Sequence, residues 1–285
     1  MIPRLAETTA MFPWLMPALA FVLGAAIGSF LNVVILRLPA GRSVVSPGSH
    51  CACGQPIAPR DNVPILSWVL RRGRARCCGR PFSVRYPAVE LLTALLFLAA
   101  AREFAPAAMV CAWVFLGALV AATFIDIDTL QIPDTFTIGL AGAGVVLSAL
   151  VPALHGEQSG FYALDSLRSC ADGLQGLLLG SGLLLWIAVL GELALKKEAV
   201  GFGDIKLVGA IGVFCGWHGA VFAIFGGAVA GTLGLLAAMA WRRTARLGLG
   251  KPVPFGPMLA LAGAAYFLFL HGKVDAWFAT FSGLF

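Results

Sequence analysis

Long apolar runs dominate this sequence and place it in a membrane. There are about eight of them, near the length that an α-helix needs to span a bilayer. Only 12% of the residues are charged, against about 25% in a typical soluble domain, and the mean hydropathy is +0.89. The sequence therefore predicts an all-α polytopic membrane protein, with spans near 14–36, 88–102, 106–125, 135–153, 173–195, 205–218, 219–241 and 257–271.

The placement of Lys and Arg indicates the orientation of these spans. The segment 37–87 holds nine arginines against one acid, Asp61. Because short loops rich in Lys and Arg stay in the cytoplasm, we expect this segment inside and the acidic segment 152–172 outside. The arginines are not interleaved with aromatic residues as in a nucleic-acid-binding domain. We expect them to contact anionic membrane lipid instead.

Four of the seven cysteines lie together in the polar segment 37–87. Thiols stay reduced in the cytosol, so a cluster there favours a metal site over disulfides. A segment of about 50 residues is also too small for a large apolar core and would gain from a metal. Folding without metal is the alternative. The ligands of the metal site would be Cys51, Cys53, Cys77 and Cys78.

The sequence therefore predicts three parts. They are a first membrane helix at 1–36, the Cys-containing loop at 37–87 and a seven-helix membrane domain at 88–285. In the first helix, Ser29 and Asn32 are expected to hydrogen-bond to a neighbouring helix, which small residues at Gly24 and Gly28 would bring close.

Two aspartates stand where apolar runs meet polar loops. Asp126 follows the run that ends at Ile125, and Asp204 follows Gly201-Phe-Gly203 and opens the next run. The predicted topology puts both at the cytoplasmic boundary, where an ionisable group is costly and is a candidate for function. Two carboxylates around one water can act as base and acid in peptide hydrolysis. The glycines would let an extended peptide approach the backbone.

Other interpretations of these acids remain open. Asp204 would also serve as a cap of the helix that starts at Ile205, and Asp134, after Pro133, as the opening residue of another. Asp128 fits an interfacial acid. A transporter also combines many spans with membrane carboxylates, but it would show two related halves, which this sequence lacks. A non-catalytic assembly scaffold would need no such acids.

Six segments, taken in order, resemble the type IV prepilin peptidases, a family of GxGD-type aspartic proteases that are often also N-methyltransferases. The resemblance covers nearly the whole chain. It comprises Gly28-Ser-Phe-Leu-Asn-Val33 with Arg37-Leu-Pro39, Asp61-Asn-Val-Pro-Ile-Leu-Ser-Trp68, Arg85-Tyr-Pro-Ala-Val-Glu90, the stretch from Asp126 to Pro133-Asp134, Gly201-Phe-Gly-Asp-Ile-Lys206, and Pro254-Phe-Gly-Pro257.

The resemblance implies a specific activity and location. The catalytic pair of the family matches Asp126 and Asp204, and the same motifs carry the supporting residues Gly201, Gly203, Lys206 and Asp134. The substrates would be type IV prepilins and type II secretion pseudopilins, cleaved after a glycine on the cytoplasmic side of the bacterial inner membrane. The new N-terminus would then be methylated with S-adenosylmethionine.

One segment departs from the family pattern of two C-x-x-C pairs. Here the pairs are contracted to Cys51-Ala-Cys53 and Cys77-Cys78, and His50 and Ala75 stand where leading cysteines are expected. Four thiolates, with His50 in reserve, still suit zinc.

The methyltransferase activity also rests on the resemblance, since no glycine-rich dinucleotide fingerprint follows a strand. Glu90 and Asn62 are the candidate contacts for S-adenosylmethionine. A chain that retains only the peptidase activity is the alternative.

Overall fold

The structure is a computed structural model that describes residues 12–197, 200–245 and 254–282. The regular elements of these ranges are helices, as predicted. Three 3₁₀ turns, Pro59–Asp61, Asp134–Phe136 and Pro152–His155, and a π-helical turn, Tyr266–Leu270, lie between them. The α-helices are α1 (Leu15–Arg37), α2 (Leu66–Leu70), α3 (Arg85–Glu103), α4 (Pro106–Thr129), α5 (Ile138–Leu150), α6 (Tyr162–Leu195), α7 (Phe202–Ala245), α8 (Gly256–Ala265) and α9 (His271–Ser282).

Five helices in the described residues are long and apolar enough to cross a membrane. They are α1, α4, α6, the part of α7 up to Ala237, which Gly216 divides into two segments, and the continuous stretch Gly256–Thr280. The apolar helix Asp134–Leu150 is shorter, and α3 carries charged residues near both of its ends. A multi-pass membrane protein is thus confirmed, while the count of eight spans remains a prediction.

Helix α6 begins at Tyr162, before the predicted start of the fifth span at residue 173, so the second half of the segment 152–172 is helical. Asp165 is 5% exposed and accepts hydrogen bonds from the backbone N–H and the hydroxyl of Ser159. These bonds fix the turn that leads into the helix. Its first three turns are polar, which is why apolar content alone missed them.

The chain folds as two compact units, Met1–Ala121 and Ala122–Phe285. In the first unit α1 packs closely on α3. A Cβ at Gly24 would lie 2.7 Å from the Cα of Ala94, and one at Gly28 would lie 2.7 Å from the Cα of Glu90. The side-chain amide of Asn32 donates to the carbonyl of Tyr86 at 3.1 Å. The expected close helix pair is therefore confirmed, and the three-part division at 36 and 87 stays a prediction.

In the second unit, Gly216 breaks α7 into two segments. Its backbone has φ +65° and ψ −177°, a conformation that is essentially restricted to glycine. A Cβ at Gly180 of α6 would meet both Val208, at 3.2 Å, and Ala220, at 2.8 Å. A continuous helix would hold those two residues about 18 Å apart. The chain therefore reverses at Gly216, and the predicted break between spans 205–218 and 219–241 is confirmed.

Candidate active site

Asp126 lies in the last turn of α4 and is 5% exposed. The residue before it, Ile125, is fully buried, and this packing fixes the helix end that carries the carboxylate. The backbone of Gly256, at the start of α8, lies against the Asp126 carboxylate: a Cβ at Gly256 would be 2.6 Å from the Asp126 Oδ2, and the Gly256 N–H faces the same group. Asp126 is thus a buried acid in contact with a distant part of the chain.

Asp204 lies in the first turn of α7 and is half-buried. Its carboxylate accepts a hydrogen bond from the backbone N–H of Gly201, and its own N–H donates to the Gly201 carbonyl at 3.0 Å. This reciprocal pattern resembles a capping box. The capping interpretation therefore describes part of what Asp204 does, and one hydrogen bond still leaves carboxylate lone pairs for a water or a substrate.

Ile132, in the loop after α4, lies between the elements that carry the aspartates. A Cβ at Gly203 would lie 3.5 Å from the Ile132 Cβ, and one at Gly256 would lie 2.9 Å from the Ile132 Cδ1. The side chain of Ile132 is buried. It therefore packs against the starts of both α7 and α8, and this packing places Asp126 and Asp204 close enough to interact electrostatically.

An ion pair between Lys206 and Asp134 ties the same loop to α7. Asp134 opens the 3₁₀ turn Asp134–Phe136, as expected, but no side-chain cap bond forms there. Its carboxylate pairs with the Lys206 ammonium instead. The ammonium also lies 5.4 Å from the centre of the Phe202 ring, within the range of a cation–π contact. Asp128 is exposed, in keeping with an interfacial acid.

Gly256 and Ile132 were not among the predicted site residues. The available signal was the segment Pro254-Phe-Gly-Pro257, which matched the family motif but carries no titratable side chain. Its contribution is a backbone N–H, which every residue except proline has. Sequence pattern alone does not distinguish such a donor.

In the first unit, the four loop cysteines form a compact cluster. Their sulfurs all lie within 4.8 Å of one another, with Cys51 Sγ 3.6 Å from Cys78 Sγ and Cys53 Sγ 3.3 Å from Cys77 Sγ. A tetrahedral zinc site with Zn–S bonds of about 2.3 Å has sulfurs about 3.8 Å apart. The donors therefore fit zinc, despite the contracted spacing.

Two similar turns present these sulfurs. The bridge between His50 and Pro56 closes the first and the bridge between Arg74 and Pro81 the second. Each turn contains a glycine with positive φ, Gly54 (+86°) in the first and Gly79 (+69°) in the second. The geometry of the two turns thus compensates for the shorter spacing of the cysteines within each pair. His50 belongs to the first bridge but not to the sulfur cluster, and its Nδ1 lies 3.1 Å from the Gly48 carbonyl.

The cluster also changes the acidity of its thiols. The backbone N–H of Cys53, together with neighbouring thiols, lowers the pKa of Cys51 to about 7. Hydrogen bonding by its sulfur neighbours, Cys53 first, raises the pKa of Cys77 to about 12. Such unequal acidity is expected when four thiols share a small volume and the first to ionise is stabilised by the rest.

A cavity of about 660 Å³ lies in the first unit beside the loop. Both candidate cofactor residues, Asn62 and Glu90, line it. Glu90 is buried and accepts a hydrogen bond from the backbone N–H of Ile65 at 2.6 Å. Ile65 has φ +61° and ψ −54°, the geometry of a strained γ-turn. Glu90 therefore also holds the backbone of the cavity wall.

The long apolar helices define a multi-pass membrane protein, and Asp126 and Asp204 are its candidate acid pair. Residues 22–104 match the family model of the bacterial peptidase A24 N-terminal domain, and residues 113–236 match that of the type IV leader peptidase family. No solved structure matches the chain with significance.

Curated relatives agree with these matches. A prepilin leader peptidase/N-methyltransferase of Aeromonas hydrophila is 35% identical, over 94% of this chain and 95% of that protein. One of Pectobacterium carotovorum is 36% identical, over 91% and 95%. A type 4 prepilin-like proteins leader peptide-processing enzyme of Escherichia coli is 37% identical, over 89% and 94%. The chain belongs to the type IV leader peptidase family, which confirms the resemblance drawn from its motifs.

Proposed function

We propose that this chain is a prepilin leader peptidase that cleaves type IV prepilins and type II pseudopilins after glycine and then methylates the new N-terminus. The observation that carries the proposal is the contact of both sites with one buried side chain: Ile132 packs on Gly256, which lies against Asp126, and on Gly203, the residue before Asp204. Relatives over nearly the whole chain carry the name prepilin leader peptidase/N-methyltransferase, and this supports both activities.

The two carboxylates divide the chemistry of hydrolysis between them. One, ionised, takes a proton from the attacking water, and the other, protonated, donates to the scissile carbonyl and later protonates the leaving amine. Two neighbouring carboxylates favour sharing one proton, because both cannot ionise cheaply at short range. Gly201 and Gly203 beside Asp204 leave space for the backbone of an extended substrate.

Lys206 and Asp134 support this pair without taking part in proton transfer. Their ion pair ties the loop containing Ile132 to the first turn of α7, where Asp204 lies. The arrangement of the two carboxylates thus depends on the loop that follows α4.

The charges of the second unit support a cytoplasmic site. Helix α6 runs antiparallel to the first segment of α7, since Gly176 packs on Gly212 and Gly180 on Val208. The basic pair Lys196-Lys197 after α6 therefore lies at the same end as Asp204. Positive charge marks the cytoplasmic side of the bacterial inner membrane, which is where we place the site.

Cys51, Cys53, Cys77 and Cys78 would hold zinc, which supplies a structural link between the two turns of the loop. The cavity beside the loop has a volume in the range of small-molecule sites. Its walls carry both cations, such as Arg42 and Arg74, and the acids Asp61 and Glu90, and thus suit a ligand with charges of both signs.

S-adenosylmethionine is such a ligand and supplies the methyl group. Asn62 is exposed to the cavity and would bind it. Glu90 would act mainly by holding the Ile65 turn. In this way the first unit would methylate the amine that the second unit releases.

The test is to express the chain with a type IV prepilin in cells that lack their own leader peptidase. Mass spectrometry of the pilin N-terminus is expected to show cleavage after the glycine and the mass of one added methyl group. Unprocessed prepilin beside a correctly inserted chain would overturn the peptidase proposal. Cleaved but unmethylated pilin would overturn only the methyltransferase part.

A further inference from the structure

We propose that Gly256 is a positioning residue for Asp126 and that the start of α8 is thereby a part of the protease site. The inference rests on the proposed function, since it assigns a role within the same reaction. Its basis is the close approach of the Gly256 backbone to the Asp126 carboxylate, with the N–H facing that group, and the lack of room for any side chain at this position.

Few backbone N–H groups at the beginning of α8 are available to the Asp126 carboxylate. The N–H groups of Met258 and Leu259 both donate to the Phe255 carbonyl, at 2.9 and 3.2 Å. Residue 257 is proline and has no N–H. The first turn of a helix normally leaves its N–H groups without helical partners. Here the N–H of Gly256 is the one that meets the carboxylate, and the positive end of the helix dipole lies beside the same negative group.

Only glycine fits this contact. A Cβ at position 256 would lie 2.6 Å from the Asp126 Oδ2 and 2.9 Å from the Ile132 Cδ1. Real Cβ atoms essentially never come closer than 3.0 Å to such neighbours. Gly256 is not among the described glycines with positive φ. The requirement for glycine is therefore one of space and not of backbone conformation.

The contact acts on the position of Asp126. The Gly256 backbone limits the orientation of a carboxylate that must meet a water and Asp204. Misplacement of a reacting group by about 1 Å costs up to about a hundredfold in rate. Gly256 thus contributes to catalysis through Asp126, without touching the substrate.

Gly256→Ala tests this inference, with Gly263→Ala as the matched control. Gly263 lies two turns further along α8, and a Cβ there would meet the Ile211 Cγ2 at 2.9 Å, a similar clash away from the carboxylates. We expect Gly256→Ala to lower kcat for prepilin cleavage about ten- to a hundredfold with KM nearly unchanged. Gly263→Ala should lower the melting temperature and leave kcat within about twofold, because it touches neither acid.

The double variant Gly256→Ala/Ile132→Val, compared with Ile132→Val alone, separates positioning from packing. Valine lacks the Cδ1 that a Cβ at position 256 would meet, so it relieves that clash but leaves the one with the carboxylate. We expect stability to recover and kcat to stay low. Full recovery of kcat, or a folded Gly256→Ala enzyme with wild-type kcat, would overturn the inference. A wild-type chain that cleaves no prepilin would instead overturn the proposed function itself.

Discussion

Removing the Asp134–Lys206 ion pair should slow catalysis far more than it destabilises the fold. The carboxylate of Asp134 is 64% exposed and the Lys206 side chain 24%. Exposed ion pairs contribute about 0.5 kcal/mol to stability, because water screens them and two long side chains lose freedom. Lys206→Met or Asp134→Asn should therefore change the melting temperature very little.

The effect on rate comes from the loop that this ion pair fixes. Ile132 lies two residues before Asp134 and packs between the starts of α7 and α8. A small shift of Ile132 moves Asp204 relative to Asp126, and shifts of this kind cost about ten- to a hundredfold in rate. We therefore expect either variant to lower kcat at least tenfold, a loss of about 1.4 kcal/mol in transition-state stabilisation, with KM nearly unchanged.

Steady-state cleavage of a prepilin peptide in detergent or nanodiscs measures the kcat and KM of these variants. The swapped pair Asp134→Lys/Lys206→Asp should regain most of the lost kcat, because the ion pair is restored with its partners exchanged. Glu157→Gln is the matched control, since it removes another exposed ion pair of the same unit, with Arg168 at 3.7 Å, and should leave kcat unchanged. The reasoning is wrong if folded single variants keep wild-type kcat.

Three further predictions concern the loop and the helix break. Cys53→Ser should remove most of the bound zinc, measured by elemental analysis, and lower pilin methylation while cleavage continues. Acidification should release that zinc, because its ligands must be thiolates and the pKa of Cys51 is about 7. Zinc retained unchanged at pH 5 would contradict a thiolate site. Gly216→Ala should destabilise the second unit by about 1–3 kcal/mol, whereas Gly142→Ala, in an open helical position, should have no such cost in the same thermal assay.

Much of the helical framework follows from the sequence because membrane helices satisfy their backbone within one segment. An apolar run therefore locates α1 and α4 to within a few residues, and the glycines of α1 indicate its close packing. Helix α6 shows the limit. Its start depends on a hydrogen-bonded turn between Ser159 and Asp165, and its first turns are polar, so hydropathy misses them.

The residues of the candidate site likewise differ in how far the sequence alone reveals them. Asp126 and Asp204 stand out in sequence, because a charged group beside an apolar run is costly. The donor to Asp126 does not stand out, since a backbone N–H at Gly256 leaves no mark in the residue pattern and comes from 130 positions away. The cysteine cluster lies between these cases. Its members were evident, but the fit of contracted pairs to one metal depends on turn geometry.

The most direct test of the central claim is the cleavage rate of Asp126→Asn and Asp204→Asn enzymes. Asparagine keeps the size of the side chain but removes its acid–base chemistry. Asp128→Asn, an exposed neighbour on α4, is the control. We predict that each of the first two variants inserts, folds and binds prepilin but loses cleavage by at least about a thousandfold, while Asp128→Asn cleaves at the wild-type rate. Leader removal at a near wild-type rate by either Asp126→Asn or Asp204→Asn would contradict the account.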